Sequence, residues 1–261
     1  MQPTQPMDGI LTALAEQVDE LDGLVAGLDE AGWALPSRCP GWSISDVLLH
    51  VAQTNEMTVA SAEGRFTDEA AAFGNRVGTA PPGANVDDLA GLAVAAERGR
   101  SGKEVYDRWR ASSAAQAAAL GACEAGTRLP WVAGDLAAIT LATTRVAETW
   151  IHTGDVAAGL GRKLAPAASR LRPIARLAWR TLPYAFARAG KTLSGPVALR
   201  LTAPDGTIWE FEPKEPAATT VSGPALDFCL VAARRTSPSE TALTATGPDG
   251  AAVLDLVRTF A

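Results

Sequence analysis

Apolar residues recur at intervals of three and four along most of the first 163 residues, and this spacing places them on one face of a helix. The periodic segments are 7–28, 43–63, 86–123 and the residues that follow 135. Loops that contain proline and glycine separate them at 33–42 and 126–134. Each helix must bury its apolar face against the others, so the sequence predicts a four-helix bundle.

The ends of these helices carry recognisable signals. We expect Ser43 or Ser45 to cap the second helix, with Asp46 placed at its positive end. Asp135 is expected to cap the fourth helix in the same way. Residues 64–85 are expected to form a crossover with a few helical turns, and residues 86–123 one long helix or two helices broken near Gly99–Gly102.

The pattern changes after residue 195, where apolar and polar residues begin to alternate. Residues 197–202 and 207–212, joined by a Pro-Asp-Gly turn, predict a β-hairpin. The expected elements beyond it are a helix at 224–235, a strand at 241–246 and a final helix at 250–260. The sequence therefore predicts an α+β class with domains at 1–163 and 196–261. The segment 164–195 is expected to link them through a helix interrupted at Pro173 and Pro183.

Two histidines and one glutamate form the candidate site. Glu148 and His152 stand four residues apart, so their side chains leave one helical face about one turn apart. The chain's only other histidine is His50, in the second periodic segment. A His, His, Glu set leaves a fourth position for water or substrate, as catalytic zinc sites do. We therefore expect a mononuclear metal enzyme with zinc at these three residues; the alternative is that Glu148 and His152 form an ordinary surface pair.

Asp155 and Arg145 flank this pair and each has two interpretations. Asp155 lies three residues after His152, where it either accepts the second ring N–H of a ligand histidine or is a carboxylate on the helix surface. Arg145 lies one turn before Glu148, where it either pairs with a carboxylate or reaches a substrate anion. The sequence alone leaves both choices open.

The loop before the His50 helix contains Cys39 and Trp42. Cys39 is either a reactive thiol near the metal or a buried, inert one, and the lack of a nearby base or second cysteine favours the inert thiol. Trp42 is either a core residue or a wall of the substrate pocket. No Ser-His-Asp arrangement is expected, because both histidines are assigned to the metal.

Composition excludes several classes of partner. A formal charge of −6, without a dense run of lysine and arginine, argues against nucleic acid or an anionic membrane as a partner. The three cysteines are far apart and odd in number, which favours a reducing, cytoplasmic location. We expect no signal peptide and no membrane span, a small-molecule substrate, and a monomer or homodimer.

Two motifs carry a resemblance to a known family. Pro40-Gly-Trp-Ser-Ile-Ser-Asp-Val-Leu-Leu-His50 and Arg145-Val-Ala-Glu-Thr-Trp-Ile-His-Thr-Gly-Asp155 resemble the mycothiol-dependent maleylpyruvate isomerase family of the DinB-like superfamily. The wording around His152 is similar to an actinobacterial subgroup whose reactions are mostly unassigned. The C-terminal part resembles the small α+β domain of that family, which has a sterol-carrier-like appearance.

The resemblance implies a DinB-like four-helix bundle that binds one divalent metal, usually zinc, through His50, Glu148 and His152. It also implies mycothiol as a cofactor or co-substrate, and an arginine of the small domain that holds an anionic substrate. Arg235 is favoured over Arg234 for this role, although either could simply cap the end of a helix. The candidate catalytic residues are therefore Arg235, Arg234 and Asp155.

The favoured function is a thiol-dependent isomerase or thiol transferase that acts on a small polar or electrophilic substrate. One alternative is a thiol-independent isomerase, cyclase or hydrolase of a biosynthetic pathway, in which the metal polarises a carbonyl or activates water. A second alternative is a non-catalytic protein that encloses a small apolar ligand. A requirement for added thiol separates the two enzymatic functions, and a cavity remote from His50 would favour the binding protein.

Overall fold

The chain forms two compact units that meet in sequence between Leu164 and Ala165. A computed structural model describes residues 7–78, 81, 83–132 and 134–259. We call residues 7–164 the helical unit and residues 165–259 the α+β unit. Helices dominate the first and a four-stranded sheet organises the second. The predicted α+β class, with a helical domain first, is therefore confirmed.

The helical unit is built on four long helices. Its helices are α1 (Met7–Val25), α2 (Glu30–Trp33), α3 (Ile44–Ala62), α4 (Phe66–Val77), α5 (Val86–Glu97), α6 (Gly102–Gly121) and α7 (Ala138–Gly159). Helices α1 and α3 each pack against both α6 and α7. Two short strands, β1 (Arg128–Leu129) and β2 (Leu136–Ala137), pair antiparallel before α7. The four long helices form the predicted bundle, and the large side chains sealed in its core include Leu14, Leu21, Ile44, Leu48, Trp109, Leu120, Leu141 and Ile151.

A capping box starts α3 and fixes where its residues face. The Asp46 N–H donates to Oγ of Ser43 at 3.1 Å, and the Ser43 N–H donates to Oδ2 of Asp46 at 2.9 Å. This satisfies two backbone donors at the helix start. Asp46 also forms an ion pair with Arg98 at 3.0 Å. The predicted cap at Ser43 is confirmed, and it places His50 two turns into the helix.

The structure corrects one expectation about the segments that connect the helices. The N-cap of α7 is Ala137, without a side-chain cap, so the prediction that Asp135 caps this helix is wrong. The cause is the β1–β2 pairing, which holds residues 136 and 137 extended and delays the helix to residue 138. The crossover after α3 contains the twelve-residue helix α4, in agreement with the few helical turns expected there. Residues 86–123 form two helices, as one of the two alternatives predicted.

The loop between α2 and α3 is held against the end of α7. The Arg38 N–H donates to the backbone carbonyl of Asp155 at 3.1 Å. Gly159 packs so closely on this loop that an added Cβ would lie 2.5 Å from the carbonyl oxygen of Pro36. Because of these contacts, the loop presents Cys39 to the same part of α7 that carries the candidate ligands.

The α+β unit combines four helices with one sheet among its described residues. Its elements are α8 (Ala168–Arg180), α9 (Leu182–Arg188), β3 (Val197–Thr202), β4 (Ile208–Phe211), β5 (Thr219–Pro224), α10 (Ala225–Ala232), β6 (Thr244–Thr246) and α11 (Gly250–Leu256). The strand order is β4-β3-β5-β6. The predicted hairpin is the antiparallel β3–β4 pair, and β5 runs parallel to β3 in the middle of the sheet. Helices α8 and α9, in the segment expected to link two domains, pack against β4, α10 and α11 of this unit.

Two features of this unit differ from expectation. Strand β5 was not predicted, because its sequence, Thr-Thr-Val-Ser-Gly-Pro, has little apolar alternation. Its backbone instead pairs on both sides, with Leu199 opposite Val221 on one of them. The predicted break at Pro173 is wrong, since α8 continues past this buried proline and loses one backbone hydrogen bond. Pro183 lies at the start of α9, where no N–H is needed.

None of the helices in the described ranges combines the length and apolar character that crossing a membrane would require.

Candidate metal centre

Helices α3 and α7 bring the three predicted ligands together. His50 lies on α3, and Glu148 and His152 lie one turn apart on α7, which packs against α3. Nε2 of His50 lies 2.9 Å from Oε1 of Glu148, and Nε2 of His152 lies 3.4 Å from the same oxygen. One donor atom from each of the three side chains lies within 4.8 Å of the other two. The interpretation of Glu148 and His152 as a surface pair is excluded by their position inside the bundle.

The cluster is buried but not sealed. The exposed fractions of the side chains are 12% for His50, 9% for Glu148 and 8% for His152. The ring of Trp42 lies 5.2 Å from that of His50, so Trp42 forms one wall of the cluster. The two imidazole rings meet edge to face with centroids 5.0 Å apart. The three polar side chains therefore keep a small exposed fraction inside the bundle.

Asp155 and Cys39 contact the Nδ1 edge of the His152 ring, opposite the Nε2 edge that faces Glu148. Nδ1 of His152 lies 3.1 Å from Oδ2 of Asp155, which is fully buried. A carboxylate can only accept, so this nitrogen carries the proton and Nε2 is turned toward Glu148. The Cys39 thiol donates to the same Oδ2 at 3.2 Å, and its sulfur lies 3.9 Å from Nδ1. Of the two interpretations of Asp155, the structure excludes the surface carboxylate.

Burial and hydrogen bonding shift the pKa values of the three candidate ligands in different directions. Burial lowers the pKa of His50 below its ordinary value. Burial opposes ionisation of Glu148, but hydrogen bonds to His152 and His50 outweigh it and place the Glu148 pKa well below its usual range. Burial also opposes protonation of His152, yet its bonds to Asp155, Cys39 and Glu148 place its pKa well above the ordinary value. Glu148 is therefore an anion that lies between the two histidine side chains.

The donor set fits a divalent metal. Two imidazole nitrogens and one carboxylate oxygen converge, and they leave the remaining coordination position to a water or substrate. The bond from Asp155 fixes the His152 tautomer in the way that ligand histidines in metalloenzymes require. Cys39, His152 and Asp155 form a second group of potential donors. That group uses Nδ1 of His152, whose proton is already bound by Asp155, so the His50 group is the better metal site.

Arg145 lies beside this cluster, and the structure decides between its two interpretations. Its Nη2 donates to Oγ1 of Thr54 at 3.1 Å, and its guanidinium lies 5.7 Å from the centre of the Trp131 ring. Among the described residues no carboxylate lies within 4.0 Å of it, which excludes an ion pair, the first of its two interpretations. Sequence reasoning missed Thr54, although its position four residues after His50 places both on one face of α3.

Arg234 and Arg235 lie in the α+β unit, directly after α10. Arg234 has a left-handed backbone with φ of 59°, and the N–H groups of both arginines return to carbonyls of the last helical turn. Partial burial and the nearby Arg258 guanidinium lower the pKa of Arg234. This geometry is that of a helix C-terminus, and a role of either arginine in substrate binding stays a prediction.

Comparison with known proteins agrees with this architecture. The family model described as the mycothiol maleylpyruvate isomerase N-terminal domain matches residues 14–157, and the MDMPI C-terminal domain model matches residues 172–254. Uncharacterized proteins from two strains of Mycobacterium tuberculosis are 35% identical over 250 residues, covering 95% of this chain and 93% of theirs.

Solved structures show the same fold. A crystal structure of the mycothiol-dependent maleylpyruvate isomerase matches with a TM-score of 0.60 at 17% identity, over 94% of this chain and 96% of that one. A histidine-to-alanine mutant of the isomerase matches with a TM-score of 0.59 at 18% identity, over the same shares. The two domain models together extend over most of the chain, which therefore belongs to the mycothiol maleylpyruvate isomerase family.

Proposed function

We propose that this protein is a divalent-metal-dependent enzyme that isomerises a small electrophilic substrate, or transfers a thiol to it, with mycothiol as the thiol. The observation that carries the proposal is the convergence of His50, Glu148 and His152 within 4.8 Å inside the bundle. Family membership supports the use of mycothiol, because the isomerase to which the chain is similar is named as mycothiol-dependent. Zinc is the proposed metal, since this ligand set is typical of catalytic zinc.

A metal bound by this set would lower the pKa of a thiol at its open position and so supply a nucleophile at neutral pH. Glu148 contributes a negative charge to the ligand set, and Asp155 keeps the Nδ1 proton of His152 so that Nε2 faces inward. Trp42 limits the access of water next to His50. These residues orient and shield the reacting groups.

Isomerisation of an activated double bond by a thiol does not consume the thiol. Addition of a thiolate to one carbon breaks the π bond, whose electron pair moves onto the conjugated carbonyl as an enolate, and the remaining single bond rotates. Loss of the same thiolate restores the double bond in the other geometry, so the thiol returns unchanged. A transferase would differ in the last step, because a proton would be added to the neighbouring carbon and the thiol would stay attached. Arg235, or Arg234, is proposed to hold an anionic substrate.

The proposal is tested by turnover of maleylpyruvate followed in the ultraviolet, with purified protein loaded with zinc and with mycothiol present or absent. Turnover that requires both mycothiol and intact His152 supports it. Turnover of candidate electrophiles without any thiol would support the thiol-independent alternative, and a metal-loaded protein that binds ligands but turns over none would support a binding function. A small-molecule substrate, a cytoplasmic location and a monomeric or dimeric state remain predictions.

A further inference from the structure

Arg145 is a buried cation with few protein partners. The residue is 3% exposed, and its Nε is sealed from solvent without a hydrogen-bond partner in the described residues. The guanidinium donates one hydrogen bond to a described residue, from Nη2 to Oγ1 of Thr54. A buried positive charge is normally paired with a carboxylate, because transfer of an unpaired charge from water to the protein interior destabilises the fold.

Another arginine of the helical unit, Arg108, is paired with carboxylates in the usual way. Arg108 is also partly buried, and it pairs with Glu56 at 2.7 Å and with Glu97 at 2.5 Å. Arg145 has no such pair among the described residues. The carboxylate whose charge acts on it is Glu148, and that group is already bonded to both histidines. The positive charge of Arg145 is therefore not neutralised by a direct contact with any residue that the structure describes.

The position of Arg145 places this charge next to the metal centre. It lies one turn before Glu148 on α7, and its partner Thr54 lies one turn after His50 on α3. The guanidinium thus occupies the layer of the bundle adjacent to the three candidate ligands. Its Nη1 is neither sealed nor bonded to a described residue, so donors remain for a ligand. Trp131, stacked at 5.7 Å, holds the planar group in place.

We propose that Arg145 is a substrate-binding residue that holds a carboxylate group of the substrate in the layer beside the metal centre. The inference rests on the proposed function and adds to it a residue of the helical unit that would bind the substrate carboxylate closest to the reacting carbon. A guanidinium suits this role, since its fork of N–H groups matches a carboxylate with two parallel bonds. The missing protein carboxylate is then supplied by the substrate.

Calorimetric titration of the zinc-loaded protein with maleate, and with uncharged maleamide, tests this role. Arg145→Met is expected to weaken maleate binding by about tenfold or more, and Arg145→Lys by less, because lysine keeps the charge and loses the fork. Arg110→Met is the matched control, since Arg110 also lies 5.7 Å over a tryptophan, Trp109, but on the surface. Maleamide should bind weakly and equally to all variants.

Metal content and thermal unfolding separate the possible failures. Zinc retention by Arg145→Met with unchanged maleate affinity would overturn the inference and leave the metal centre standing. A wild type that binds zinc but not maleate would also overturn it. Without maleate, Arg145→Met should unfold at the same temperature as wild type or higher, because the unpaired charge is gone. Loss of stability in this variant, with maleate affinity preserved, would mean that Arg145 is a packing residue.

Discussion

Nδ1 of His152 and Oδ2 of Asp155 lie 3.1 Å apart, three residues along one helix, with the aspartate fully buried. This bond decides which edge of the imidazole faces Glu148. The Cys39 thiol donates to the same aspartate oxygen from the neighbouring loop. The buried carboxylate of Asp155 therefore fixes the orientation of the His152 ring from two sides, together with the loop that carries Cys39.

We predict that Asp155→Asn weakens zinc binding by about tenfold to a hundredfold without abolishing it, because the amide holds the His152 proton less strongly. The measurement is a competition titration against a chromophoric zinc chelator. Asp107→Asn is the control, since Asp107 is a half-exposed helical acid that pairs with Lys103. Equal zinc affinity in wild type and Asp155→Asn would mean that Asp155 does not support a ligand.

We predict opposite effects for two glycines of α7. Gly159→Ala is expected to destabilise the protein by about 1–3 kcal/mol, because the new Cβ would lie 2.5 Å from the Pro36 carbonyl oxygen and push the Cys39 loop away. Gly154→Ala meets no atom within 4 Å, so it should stabilise the helix by about 0.5–1 kcal/mol. Urea unfolding of the two variants checks both. An unchanged free energy of unfolding in Gly159→Ala would show that the loop can move away from the new Cβ at little cost.

We predict that Glu97→Gln destabilises the helical unit by about 1–2 kcal/mol at neutral pH and has little effect in acid. Burial opposes ionisation of Glu97, but hydrogen bonds from Arg108 and Gln53 outweigh it, so the pKa of Glu97 lies below its ordinary value. The stabilisation is therefore present above about pH 4.5 and lost as pH falls through the lower folded value.

Urea unfolding of wild type and Glu97→Gln across this pH range tests the prediction. Glu63→Gln is the matched control, because Glu63 pairs with Arg65 on the surface, where both side chains are about half exposed. Its effect should be small at every pH. A difference between wild type and Glu97→Gln that persists unchanged in acid would contradict the assigned pKa shift.

The sequence was sufficient to predict the bundle and to select the three side chains, His50, Glu148 and His152, that the fold brings together. Helical periodicity defines α1, α3, α6 and α7, and a chain with two histidines leaves little choice of ligands. The spacing of Glu148 and His152 fixes their common face. Local rules also identified the cap at Ser43 and the β3–β4 hairpin, because both depend on residues that are close in sequence.

Features that depend on distant contacts were missed or remained open. Cys39 contacts Asp155 across more than a hundred residues, so the sequence could not show that its thiol lies beside His152. Strand β5 is specified by backbone pairing with β3 and β6, which a Thr-rich segment does not reveal. Asp135 looked like a helix cap because the short β1–β2 pair, which displaces the helix start, has no visible pattern of its own.

The most direct test of the account is metal content by mass spectrometry on protein purified without an affinity tag. We predict about one equivalent of zinc or another divalent ion in wild type, loss of it in His50→Ala and His152→Ala, and its retention in Cys39→Ala. The Cys39 variant matters because Cys39, His152 and Asp155 form the competing donor group. A wild type that neither contains nor takes up a divalent ion, or loss of metal in Cys39→Ala but not in His50→Ala, would contradict the proposed centre.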